Sequence, residues 1–211
     1  MDTNIRAKPK IGIIQPDKDI KLEPGEVGAI LELVVKDKNG KVTHREEMVS
    51  RSFVRQWLEL VYIQALSIYS GAAYTLRDKD NALQRVSRHY YNLSCHGGVG
   101  EENYGITVGT GITAPTINDY RMETPIAHGT SAGQLGYSAV TFGAPATDGS
   151  TSQFTITRDF ANSSGGAITV REIGLYVRGS TGYYLAVRDA VNISIPNGET
   201  LTVNYRIQGT V

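Results

Sequence analysis

Over residues 151–208 apolar and polar side chains alternate with a period of two. Phe154, Ile156 and Phe160 alternate with Gln153, Thr155, Thr157 and Asp159. Leu201, Val203, Tyr205 and Ile207 alternate with Thr202, Asn204, Arg206 and Gln208. Successive side chains of an extended chain point to opposite faces, so each run predicts an antiparallel strand with one wet face. Ile168 and Val170 hold one parity and Ile173, Leu175 and Val177 the other, which predicts an extra, bulged residue near Arg171 or Glu172. Gly179-Ser-Thr-Gly182 and Pro196-Asn-Gly198 supply turns into strands over Tyr183–Val191 and Thr200–Gln208. Short strands at regular spacing with Gly, Asn, Ser and Thr between them point to a sandwich or jelly roll.

The first half of the chain is patterned differently. Asn39-Gly40 lies between apolar runs at Val27–Lys36 and Lys41–Val49, a strong hairpin signal because both residues tolerate positive φ. Ser50 and Ser52 are candidate N-caps for a helix from about Phe53 to Ile68. Phe53, Trp57, Val61 and Ala65 form one stripe, thickened by Val54, Leu58, Ile63 and Leu66. That stripe is wider than a surface helix needs, so the helix is expected to be mostly buried, in the domain or in an interface. Residues 69–104 are ambiguous: Asp80 suits the cap of a short helix carrying Leu83, Val86 and Tyr90, whereas Arg85–Leu93 suits a strand. Residues 1–26, broken by Pro9, Pro16 and Pro24, read either as an extended arm that docks on a neighbouring copy, its apolar patch at Ile11–Ile14, or as a disordered tail. The expected architecture is therefore mainly β: an antiparallel β-sandwich or jelly roll over residues 27–211, with one N-terminal α-helix and an extended arm over residues 1–26.

Gly109-x-Gly111-x-x-Ala114 after a short strand at Gly105–Val108 matches a dinucleotide fingerprint, but Ile112, Thr113 and Pro115 follow where a helix N-terminus is required. The glycines are expected to be structural. Twenty-one basic residues balance twenty-one acidic ones, which favours neither nucleic acid nor an anionic membrane as a bulk partner. Residues 101–211 carry six Arg against nine Asp and Glu, leaving fifteen basic against twelve acidic residues in the first hundred. Opposite-signed halves suit head-to-tail contacts between copies. Cys95 is the single cysteine, so no intramolecular disulfide framework exists. Cys95 with His89 and His96 falls short of four zinc ligands at short spacings, and no metal or cofactor is expected. No apolar signal core stands at the N-terminus, and the run Phe53–Ile68 is too short to span a bilayer, so synthesis in a cytoplasm without cleaved export is expected.

No catalytic constellation emerges. Ser94-Cys95-His96 places neighbours on opposite faces of an extended chain. Glu101-Glu102 are adjacent instead of facing each other across a sugar. Asp119, Glu123 and His128 are candidates for lining a site. Twelve tyrosines, among them Tyr69, Tyr74, Tyr90, Tyr91, Tyr183 and Tyr184, suit either a sugar-binding face or a protein interface. In Tyr183-Tyr184 one ring is expected to face the core and the other to remain available.

Gly105-Ile-Thr-Val-Gly-Thr-Gly-Ile-Thr-Ala-Pro-Thr116, Ile126-Ala-His-Gly129 and Val170-Arg-Glu-Ile-Gly-Leu-Tyr-Val177 together resemble stretches of virion structural proteins of tailed bacterial viruses. Glu172–Tyr176 resembles a step in tail-collar and tail-fibre domains, and Asn197–Ile207 is similar to their closing strand. The resemblance covers roughly residues 85–211 and carries no catalytic position. It implies a non-enzymatic, β-rich building block of a virus particle, in capsid, neck or tail, present in many symmetric copies. Its implied partners are copies of itself and other virion proteins, and its location the virion. The expected contact residues are Ile11, Ile13 and Ile14 of the arm, adding to a neighbour's sheet edge, and Phe53, Trp57 and Val61 of the helix. The competing expectation is a carbohydrate-binding or adhesin-like sandwich with a glycan receptor.

Overall fold

The computed structural model describes residue 20 and residues 22–211 except 51, 70 and 72. The arm residues Ile11, Ile13 and Ile14 lie outside the described residues. The chain is mainly β; among the described residues there is one α-helix, and the named strands pair antiparallel.

The Asn39-Gly40 signal produces a hairpin of β1 (Val27–Lys36) and β2 (Val42–Ser50). Gly40 takes φ +79°, and the Asp37 carboxylate accepts the Asn39 and Lys41 amides at 2.8 and 2.9 Å, closing the turn. Both strands then pair into a larger sheet. β12 (Thr200–Thr210) lies beside β1, and β9 (Thr151–Ala161) lies beside β12. Three short strands, β6 (Gly136–Tyr137), β7 (Thr141–Phe142) and β8 (Ala146–Asp148), share the far edge of β9. A second sheet runs in the order β11 (Gly182–Ile195), β10 (Ile168–Gly179), β5 (Gly105–Gly109).

The period-two pattern sorts its side chains as expected. Leu201, Val203 and Tyr205 of β12 and Ile156 and Phe160 of β9 are buried, and both sheets contribute to one hydrophobic cluster with Leu31, Leu33, Val108, Ile173 and Val187. Register slips between Val170 and Glu172, where the parity change predicts a bulge. A second slip at Leu175/Tyr176 leaves no such trace, because residues on both faces there are buried. Asp189 of β11 ties the sheets together: it accepts the Tyr205 hydroxyl and the Ser50 hydroxyl, each at 2.8 Å. Burial raises its carboxyl above the usual range, against the pull of those hydrogen bonds.

Three expectations need correction. The helix α1 spans Arg55–Ala65, not Phe53–Ile68. Residues 52–54 pair with the edge of β11 through a Phe53–Val187 bridge and a Val54 amide bond to Ala186, so sheet pairing takes the residues that a cap would use. The N-cap is Val54, without a side-chain cap; Ser50 is spent on Asp189. At the other end Ser67 turns to φ +54°, which stops the helix. Second, residues 69–104 hold neither a helix after Asp80 nor a strand over 85–93. They form a hairpin of β3 (Tyr74–Arg77) and β4 (Leu83–Val86), whose turn is organised by Asp78 accepting the Asp80 and Ala82 amides. Third, the arm does not run free to residue 26: Leu22 is buried against Gly28, and the Gly25 amide bonds Thr210.

Candidate interaction site

Helix α1 is apolar on two opposite faces. Leu60 and Ile63, with Gln56, are buried inward. On the other side Leu58 is 65% exposed, Tyr62 51% and Leu66 59%, with Val61 and Ala65 between them also exposed. These positions recur at i, i+3, i+4, i+7 and i+8, so they make one continuous stripe. Tyr74 of β3 extends it, its ring 6.0 Å from that of Tyr62 at an edge-on 68°. The breadth of apolar surface is therefore not explained by burial in the domain, since half of it faces solvent. Among the expected contact residues, Val61 lies on this stripe. Phe53 and Trp57, with ring centroids 5.6 Å apart, are half-buried at its margin.

Phe53 and Trp57 form one wall of an apolar groove of about 600 Å³. Phe154, Ile207 and Leu175 line it from the two sheets, and Phe142, 47% exposed, stands at its rim. No Asp, Glu, Lys or Arg lines it. Cys95 and His96 border the groove. Burial pushes the Cys95 thiol up to about 12, which disfavours the thiolate at neutral pH. Ser94 and His96, two apart, share a side, with Cys95 buried on the other: Ser94 Oγ lies 2.8 Å from His96 Nδ1. No carboxylate bonds the other His96 nitrogen among the described residues, so the orienting third member of a triad is missing. No group of three or more His, Cys, Asp or Glu is placed to hold a metal among the described residues.

The stretch 105–129 is organised by a buried ionic cluster. Glu172, 1% exposed, accepts the amides of Gly111 (3.2 Å), Glu123 (3.0 Å) and Thr124 (2.7 Å), and the Arg188 Nε–H at 2.9 Å. Arg188 also donates to Asp119 at 2.8 Å. Burial works against the Asp119 charge, but hydrogen bonds from Thr116 and Arg188 outweigh it and hold the carboxyl below its usual range. Backbone bonds from Thr113 and Ile112 do the same for Glu123. The glycines now have a reason: a Cβ on Gly109 or Gly111 would stand 2.6 or 2.5 Å from Glu172 Oε1. They admit a carboxylate, not a pyrophosphate. Of the three candidate lining residues, Asp119 and Glu123 converge on Arg188. His128 does not; it accepts the Tyr137 amide. Glu101 and Glu102 likewise serve backbone, accepting the Asn103 and His128 amides.

A polar cleft of about 380 Å³ lies beside this cluster, lined by Lys79, Asp80, Asn103, Arg121 and Glu123. Its tyrosines, Tyr137 and Tyr176, are buried with their hydroxyls bonded to Ile126 O and the Met122 amide. Tyr184 is fully buried while Tyr183 stacks on Tyr104 at 5.6 Å and 7°, so one ring of that pair enters the core as expected.

The largest surprise is Arg158. It sits at the inward parity of β9, fully buried, donating to Ser138 O, Ile106 O and Gly98 O at 2.8–3.0 Å, under the rings of Tyr137 and Phe160. The alternation alone marks it, standing between Ile156 and Phe160. Comparison with known proteins finds no matching family model, curated protein or solved structure.

Proposed function

We propose that the chain is a non-enzymatic structural subunit of a tailed-bacteriophage virion, an antiparallel β-sandwich that assembles in multiple symmetric copies. One observation carries the assembly: the second apolar stripe of α1, with Leu58, Tyr62 and Leu66 open to water. A folded monomer gains nothing from exposing them, and a contiguous apolar patch of this kind is where protein contacts form. The virion rests on the resemblance of residues 105–116, 126–129, 170–177 and 197–207. Two of those stretches meet in one structural unit here, Glu172 bonding the Gly111 amide. No helix of the described residues is long and apolar enough to cross a membrane.

The carbohydrate-binding reading has one feature in its favour, the polar cleft around Arg121 and Glu123. It lacks the usual platform, because the cleft's two tyrosines are buried. Mass in solution separates the two. A multimer that Leu58→Asp with Leu66→Asp converts to folded monomers supports the subunit. A monomer that binds glycans supports the module.

A further inference from the structure

We propose that the apolar groove walled by Trp57, Phe142, Phe154 and Ile207 receives the Ile11–Ile14 segment of a neighbouring copy. This rests on the reading of the chain as a multi-copy subunit and names the partner that its groove takes.

The groove asks for an uncharged apolar occupant, since no Asp, Glu, Lys or Arg lines it. Its volume lies within the range of about 300–1,000 Å³ typical of binding pockets. Ile11-Gly-Ile-Ile14, between Lys10 and the Gln15-Pro16 step, is the one cluster of three aliphatic residues in the first twenty-six.

The path of the chain chooses the copy. Ala29 and Met48 pack on the core, so Gly28 and Glu47, one position away on their strands, face outward from it. Traced backwards, the chain bonds Thr210 through Gly25, lies over Gly28 at Leu22, and brings the Ile20 amide to 3.5 Å from Glu47. Glu47 is in register with Glu32, whereas Ile207, on the groove wall, is in register with Ala29. From Gly25 to Ile20 the described residues thus run along the outward face of the sheet, away from the level of Ile207. Six residues separate Ile14 from Ile20, a reach of about 20 Å when extended. Ile20 thus lies on the face of the sheet opposite its own groove, which favours the groove of an adjoining molecule.

The test uses the full-length protein with a photoreactive benzoylphenylalanine in place of Ile13, assembled from equal parts of light and ¹⁵N-labelled chains. Irradiation and peptide mass spectrometry are expected to find position 13 joined to peptides carrying Trp57, Phe142 or Phe154, in mixed light–heavy pairs. Ile13→Asp, which alters none of the described residues, is expected to weaken self-association about tenfold or more, the loss of one buried aliphatic anchor. Cross-links confined to light–light and heavy–heavy pairs place the segment in its own chain and overturn the proposal. So do cross-links outside the groove, unchanged association of Ile13→Asp, or a co-purifying apolar small molecule in the groove by native mass spectrometry. Multimers that form without the groove cross-link sink this inference alone; a chain that stays monomeric sinks the subunit reading with it.

Discussion

Arg158 and Glu172 show how single charged residues hold this fold. Among the described residues Arg158 has no carboxylate partner; three backbone carbonyls from separate loops and strands and two aromatic faces take its place. Arg158→Ala leaves those acceptors buried and unpaired and is expected to cost about 3 kcal/mol or more by denaturant unfolding. Arg158→Lys should recover little, since a point ammonium cannot reproduce the guanidinium fork. Full recovery by lysine would mean that charge alone matters. Gly111→Ala forces a Cβ against Glu172 and should destabilise by about 1–3 kcal/mol, as overpacking does. Asp119 gives a pH test. Its folded carboxyl titrates below the unfolded value of about 4, so the folded state binds that proton less readily. Its stabilisation is whole above about pH 4 and fades as pH falls through the lower folded value. Asp189, with a raised carboxyl, contributes in the opposite sense: stability is lost as rising pH ionises it. Melting curves from pH 2 to 6 should show a shallower acid loss in Asp119→Asn than in the parent, and parallel curves would remove the Arg188 pair from the account. Parity puts Arg158 on the inward face, but its charge reads as a wet residue, so only the structure shows it buried. Glu172 and Arg188 were not legible, because what buries them is a loop some fifty or more residues away in sequence.

The strands were the readable elements and α1 was only half readable. Alternation in β9 and β12 reports one wet face and one core face, and the parity flip in β10 locates its bulge, because each rests on local geometry. The start of α1 depended on a distant partner: residues 52–54 pair with β11 before the helix can begin. An apolar stripe does not say which solvent it faces, so the pattern could not separate Leu60 in the core from Leu58 in water. Leu60→Ala, fully buried, should cost about 2–5 kcal/mol. Trp57→Ala, half-buried at the groove wall, should fall below the roughly 3–5 kcal/mol of a full tryptophan truncation. Thermal unfolding of both checks the order, and a reversed order would put the helix the other way round. Leu58→Asp with Leu66→Asp should leave unfolding close to the parent's, within about 1 kcal/mol, because exposed positions carry little of the fold.

At the scale of the whole molecule, the described residues present two apolar surfaces, the outer face of α1 and the groove, and the isoleucines of the N-terminal segment lie outside the described residues. Leu22 and Gly25 belong to the domain, so a deletion that spares them and Ile20 ends at residue 19, short of residue 26. Deleting residues 1–19 should shift the melting temperature by no more than about 2–4 °C, the change expected from roughly 1 kcal/mol at this size. A larger shift would show that the segment stabilises its own chain. Nothing in the alternation of polar and apolar residues distinguishes such a surface from a core, since both are written in the same side chains. Sedimentation velocity of the intact chain over a range of concentrations tests the central claim most directly. The account predicts discrete species at integral multiples of the chain mass, reduced to monomer by Leu58→Asp with Leu66→Asp. A single monomeric species at every concentration, unchanged by those substitutions, would contradict it.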